Sequence, residues 1–246
     1  MPASSYTVGR DELSDRNTAR AAGWLFVATF VTSIAAQFFL YGPVLDHPAY
    51  ITGAGGNAYH GVAFGALFEM FLIIANVASA VVLFPILKRQ SEAGALGYVT
   101  ARLVESTFIA IGLISLLAIL TVREDGAAGA SVGLGRALIA VHDWTFLLGP
   151  GFIVGFGNGL LLGWLMYRSG LVPRRMAMLG IIGGPLIVAS GILVLLNVID
   201  AGSPVQAIAT IPEFIWELSL GIYLIVKGFL PCPILTGDTP EVAGLP

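Results

Sequence analysis

Six apolar runs, each long enough to cross a lipid bilayer, divide this chain, and no other feature of it constrains the fold as strongly. They cover residues 20–41, 60–87, 96–122, 135–167, 176–199 and 207–230. A helix rises 1.5 Å per residue, so about 20 residues cross roughly 30 Å of hydrocarbon. Lipid offers no partner to backbone N–H and C=O groups, which leaves helices and closed barrels as the only spanning elements. None of the runs alternates with the two-residue period of a barrel strand, so the element is the helix. The first run is longer than the apolar segment of a signal peptide, and no convincing small-residue cleavage site follows it; it stays as a span. The expected fold is an all-α integral membrane bundle of six transmembrane helices. Residues 1–19 read as a flexible arm, 20–230 as the membrane domain and 231–246 as a flexible tail.

The basic residues give the bundle a direction. Of twelve Lys and Arg, nine fall on one side of the spans: Arg10, Arg16, Arg20, Lys88, Arg89, Arg168, Arg174, Arg175 and Lys227. The loops 42–59 and 200–206 carry none, and the loop before the fourth run carries Arg123 with Arg136 at its edge. Cytoplasmic loops are the ones enriched in Lys and Arg, so both termini are expected in the cytoplasm. Cys232, the single cysteine, then lies past the last span on the reducing side, and no internal disulfide is possible.

Composition removes several functional classes. Charged residues make up 11% of the chain and the net charge is −3, without the clustered Lys and Arg of a nucleic-acid surface. Gly53, Gly55 and Gly56 sit in a connector between two spans, without the strand, helix and lysine of a phosphate cradle. No nucleophile elbow, intramembrane protease dyad or cofactor lysine is visible, so no cofactor and no catalytic residue is assigned. His47, His60 and His142 with Asp46 and Asp143 are scattered, and no metal site is assigned to them.

Glycine and proline shape the bundle. Gly151, Gly155, Gly159 and Gly163 repeat every four residues and therefore line one helix face. Such a face lets a neighbouring backbone approach closely, within the chain or across a homodimer seam. Gly61 and Gly65 repeat the pattern on a smaller scale. Pro150 removes the hydrogen bond to the Phe146 carbonyl and Pro185 the one to Ile181, so each is expected to bend or unwind its helix.

Ionisable residues inside the apolar runs are the functional signal. Glu69 lies near the middle of the second run, with Asn76 two turns on along the same face. Arg102 and Glu105 are spaced to pair on one face of the third. His142 and Asp143 enter the fourth, and Glu213 and Glu217 lie one turn apart on the sixth. An ion facing lipid costs at least about 2.5–3.5 kcal/mol. These groups therefore have to face one another, a polar cavity, or protons that neutralise them. The acids outnumber the cations, which points to protonated carboxyls or a bound cation among them.

Several segments taken together carry a family resemblance. They are Leu40–Leu45 (LYGPVL), Ala95–Glu105 (ALGYVTARLVE), His142–Gly151 (HDWTFLLGPG), Met166–Pro173 (MYRSGLVP) and Pro212–Tyr223 (PEFIWELSLGIY). In these the chain resembles the bacterial DUF4386 family over about residues 18 to 230. The resemblance implies a multi-pass membrane protein of a bacterial inner membrane, with unassigned function and no catalytic residues to carry over.

The preferred expectation is a non-enzymatic protein, embedded in the bilayer, with a polar site built by spans two, three, four and six. Glu69 and Glu217 would bind a proton, a cation or a ligand amine, with Asn76 and Glu213 beside them. Arg102 and Glu105 would position the site, and His142 and Asp143 would line its mouth. One alternative is a structural or signalling protein whose charges only lock helix packing. Another is a metal-dependent hydrolase at the histidines.

Overall fold

The computed structural model describes residues 5–54, 56, 58–125 and 130–236, with side chains from Ser14 onward. Six helices are long and apolar enough to span a membrane. α1 runs over Ser5–Ile34 and continues as π-helix through Ala35–Leu40. α2 is Tyr59–Leu87, α3 is Glu92–Glu124 and α4 is Val132–Ser169. α5 is Arg174–Leu195 and α6 is Pro204–Val226. No strand occurs among the described residues. The protein is thus an all-α, multi-pass membrane bundle.

The helix starts are written locally. Ser91, Ser131 and Ser203 stand just before α3, α4 and α6, and the hydroxyl of each accepts a hydrogen bond from a backbone N–H of the first turn. A cap of this kind contributes about 1 kcal/mol. α4 ends at Gly170, whose φ of +72° suits a residue without Cβ, and Pro173 then opens α5.

Each helix packs on its neighbours in the chain, and α6 closes back on α1, so the six form a ring in sequence order. The faces turned outward carry Phe38, Phe64, Ile74, Ile114 and Ile208, all more than half exposed. Such a surface is stable only in contact with lipid. Two apolar clusters fill the interior towards opposite ends. One includes Phe26, Leu83, Leu87, Tyr98, Met166 and Trp216, the other Tyr41, Val44, Ile51, Leu116 and Ile119.

The described segments that flank the first and last spans come to the same end of the ring. Asp15 lies 3.9 Å from Arg89 in the α2–α3 turn, and Arg89 donates at 3.4 Å to the carbonyl of Ile234. The Leu230 N–H donates at 2.8 Å to the carbonyl of Leu171. Residues 5–19 extend α1, with Ala19 buried, and Cys232 is buried ahead of a short helix, Pro233–Thr236. The rest of the expected arm and tail, residues 1–4 and 237–246, lies outside the described residues.

At the opposite end, Gly42–Leu45 and Pro48–Thr52 form short helical turns in the α1–α2 loop. Arg123 is tied to this loop rather than left in solution. It donates to the carbonyls of Tyr50 and Ala54, and its guanidinium lies 3.9 Å from the Tyr50 ring centre. That accounts physically for one of the two cations placed against the general charge pattern. Gly53 and Gly56 belong to the same loop, while Gly55 lies outside the described residues.

The two prolines singled out in the sequence act differently. The stretches Gly149–Ile153 and Gly155–Leu162 of α4 are π-helical, so the missing Pro150 donor and the glycines beyond it widen this helix. α5 stays α-helical across Pro185.

Candidate functional site

The predicted residues separate into two groups stacked along the inner face of α2. Glu69 and Asn76, seven residues apart, belong to one group each, about 10 Å from one another by helical rise.

The first group lies toward the loop end. Glu69 is 6% exposed, and its carboxylate accepts a 2.8 Å hydrogen bond from the Tyr41 hydroxyl. Gly65, one turn before Glu69, makes room for this contact, since a Cβ there would come within 2.5 Å of the Tyr41 ring. His142 packs edge-on against the same ring, with centres 5.9 Å apart. Its Nδ1 lies 3.4 Å from the Asp143 carboxylate. Asp143 itself is 64% exposed, so His142 stands between a buried acid and an exposed one.

The second group lies at the centre of the ring. Arg102 is buried and donates at 2.8 Å to Glu105, whose other oxygen accepts at 3.2 Å from Asn76. Glu217 approaches the same guanidinium at 3.8 Å from α6. The Phe26 ring of α1 lies 5.7 Å from the guanidinium carbon. Glu213, one turn before Glu217, feels the charges of Glu217, Arg102 and Glu105. Two carboxyl groups thus meet one arginine, with Glu213 one turn away on α6.

Glu213 is the outlier. It is buried, and among the described residues no group hydrogen-bonds to either of its carboxyl oxygens. Its place is made by glycines. A Cβ at Gly159 would lie 2.6 Å from its Oε2, and one at Gly183 would lie 2.5 Å from its backbone nitrogen. Beside Gly159 stands Asn158, fully buried, whose side-chain amide has no hydrogen-bond partner on either atom. The Asn158 carbonyl, in the widened part of α4, accepts a 2.9 Å hydrogen bond from Trp216 Nε1. Leaving a polar group buried without a partner costs about 1–3 kcal/mol, and more when it is charged. Glu213 and Asn158 are therefore two buried polar side chains that the fold supports at a cost.

The structure does not merge Glu69 and Glu217 into the single chamber expected from the sequence. They have different partners, Tyr41 for one and Arg102 for the other. The physical reason is the length of α2, which separates Glu69 from Asn76 by two turns. Of the packing glycines, Gly155, Gly159 and Gly163 face the backbone of α5 at Gly184, Ile181 and Gly180. Gly151 meets only its own helix, and Gly61 meets nothing within 4 Å.

Reading the sequence did not single out Tyr41, Asn158, Tyr98 or Gln37. Asn158 carried a signal, since an amide inside a glycine-rich span has no local reason to be there. Tyr41 carried none, because the partner that gives it a role is 28 residues away. Of the other histidines, His47 lies in the α1–α2 loop, and His60 packs edge-on against Tyr59. Among the described residues no three His, Cys, Asp or Glu side chains stand close enough to share a metal ion.

Neither the curated proteins nor the solved structures contain a match to this chain. A family model does, over residues 21–228, which reaches all six spans and takes in both polar groups. The chain accordingly belongs to the DUF4386 family, a domain of unknown function.

Proposed function

We propose that this protein binds a proton or a monovalent cation at the centre of its helix ring, and that it works as a transport- or sensor-like membrane protein rather than an enzyme. One observation carries the reading: among the described residues the buried carboxyl group of Glu213 has no hydrogen-bond partner, and it lies within reach of the charges of Glu217 and Glu105. Arg102 offsets one of the three negative charges. A proton or a small cation would neutralise another and take up lone pairs that the protein leaves unused. Glu105 is hydrogen-bonded by both Arg102 and Asn76, and this trio acts as the frame that holds Glu217 in position. By the distribution of its basic residues, the protein sits in an inner membrane with both termini in the cytoplasm.

Trp216 reports on the site, being hydrogen-bonded to Asn158 and three residues from Glu213. The test is Trp216 fluorescence of the protein in nanodiscs, titrated with sodium chloride against choline chloride and with acid, using Trp216→Phe to identify the signal. Saturable changes should occur in wild type and in Glu69→Gln and be absent in Glu213→Gln. A response unaffected by Glu213→Gln, or none in wild type, would refute the reading.

A further inference from the structure

A cleft of about 880 Å³ opens at the end of the ring opposite the termini, between α1, α4, α5 and α6. Its size is within the range of small-molecule sites. Phe146, Ile187 and Phe214 supply apolar wall, and Asp46 and Asp143 supply two carboxylates. No Lys, Arg or His is among the residues that line it. Gln37 also lines the cleft, and its buried Oε1 has no hydrogen-bond partner. The chamber thus combines negative charge with apolar walls.

The cleft leads toward the central site. Gln206 and Thr210 line it, and they share one face of α6 with Glu213 and Glu217, at i, i+4, i+7 and i+11. Thr210 is three residues from Glu213, about 4.5 Å of helical rise. On α5, Ile187 lines the cleft while Gly183, one turn away, packs against Glu213. The floor of the cleft is therefore about one helical turn from the unpartnered carboxyl.

We propose that this cleft is the binding chamber for a small organic ammonium ion with an apolar body. Asp143 and Asp46 attract its charge, and its apolar part rests on Phe146 and Phe214. The chamber stands on these residues alone; its service as the antechamber of Glu213 rests on the function proposed above.

Two experiments test it. The first places a reporter thiol in the chamber, Thr210→Cys on a Cys232→Ser background, and compares its reaction with aminoethyl and sulfonatoethyl methanethiosulfonate. Normalised to a free thiol, the ammonium reagent should react at least about tenfold faster, given the focusing of charge in a cleft. Benzylammonium should slow the reaction saturably, and adding Asp143→Asn should weaken both effects. Equal normalised rates, or no protection, would overturn the proposal. The second uses the unaltered protein in nanodiscs, where benzylammonium should raise the melting temperature saturably and benzoate should not, because a ligand that binds only the folded state stabilises it. Equal effects of the two would also overturn it. Neither readout depends on Glu213, so the chamber and the central cation site fail separately. If the Trp216 response is absent while the charge bias and protection hold, the chamber stands and the function proposed for the centre falls.

Discussion

The Tyr41 hydroxyl donates a 2.8 Å hydrogen bond to the carboxylate of Glu69, joining the end of the first span to the middle of the second. Both groups are buried, so the bond is shielded from competing water. Tyr41→Phe removes the donor and keeps the ring, and should destabilise the protein by about 1–3 kcal/mol, the cost of a buried acceptor losing its partner. Gly65→Ala should cost at least as much, because its Cβ would sit 2.5 Å from the Tyr41 ring, and combining it with Tyr41→Leu should recover part of the loss. Unfolding in mixed detergent, followed by circular dichroism, checks both. A Tyr41→Phe protein as stable as wild type would show that Glu69 does not depend on this donor.

Arg102 holds two helices through one guanidinium, bound to Glu105 on its own helix and approached by Glu217 from α6. Breaking a buried pair by removing one member strands the other charge and costs about 3–5 kcal/mol. Arg102→Met should show a loss of this size in the same unfolding assay. Adding Glu217→Gln should return part of it, since one stranded carboxyl is then removed. Simple additivity of the two changes would mean that α6 is not held through this arginine.

The six helices and their order were legible because lipid makes a single demand, satisfied by runs of apolar residues at helical length. The Arg102–Glu105 pair was legible for a similar reason, since a spacing of three residues determines which helix face both occupy. The Tyr41–Glu69 bond was not, because it depends on how α1 and α2 are set against one another. The separation of Glu69 from Glu217 was hidden likewise: each looked like an unpaired acid at mid-depth, and only the packing of neighbouring helices shows which partner each has. Asn158 lay within reach of the sequence, but attention to the glycines around it passed over the one residue among them that has to be satisfied.

Glu213 should behave oppositely to Arg102. Among the described residues no group hydrogen-bonds to its carboxyl, so Glu213→Gln removes no pairing and lowers the cost of burial. The variant should melt at or above the wild-type temperature in nanodiscs, as is common where a strained group is kept for a task. Glu217→Gln, which loses the approach to Arg102, should melt lower. A loss of several kcal/mol in Glu213→Gln would assign this carboxyl a structural role.

Cys232 lies between two prolines beyond the last span, and burial pushes its thiol pKa above the usual value, with the Asp15 carboxylate adding to the effect. The reactive form is the thiolate, so alkylation by iodoacetamide at neutral pH should be slower than for a free cysteine. The same shift has a sign for stability. The folded protein keeps the thiol proton at a pH where the unfolded chain, with a thiol pKa of about 8.5, has released it. Unfolding then becomes more favourable as the pH rises past that value, since the folded state binds more protons. Between pH 7 and 10, wild type should therefore lose melting temperature faster than Cys232→Ser, and Asp15→Asn should reduce the difference. Parallel curves for wild type and Cys232→Ser would mean that the thiol titrates alike in both states, with the Pro233–Thr236 segment not holding it away from water.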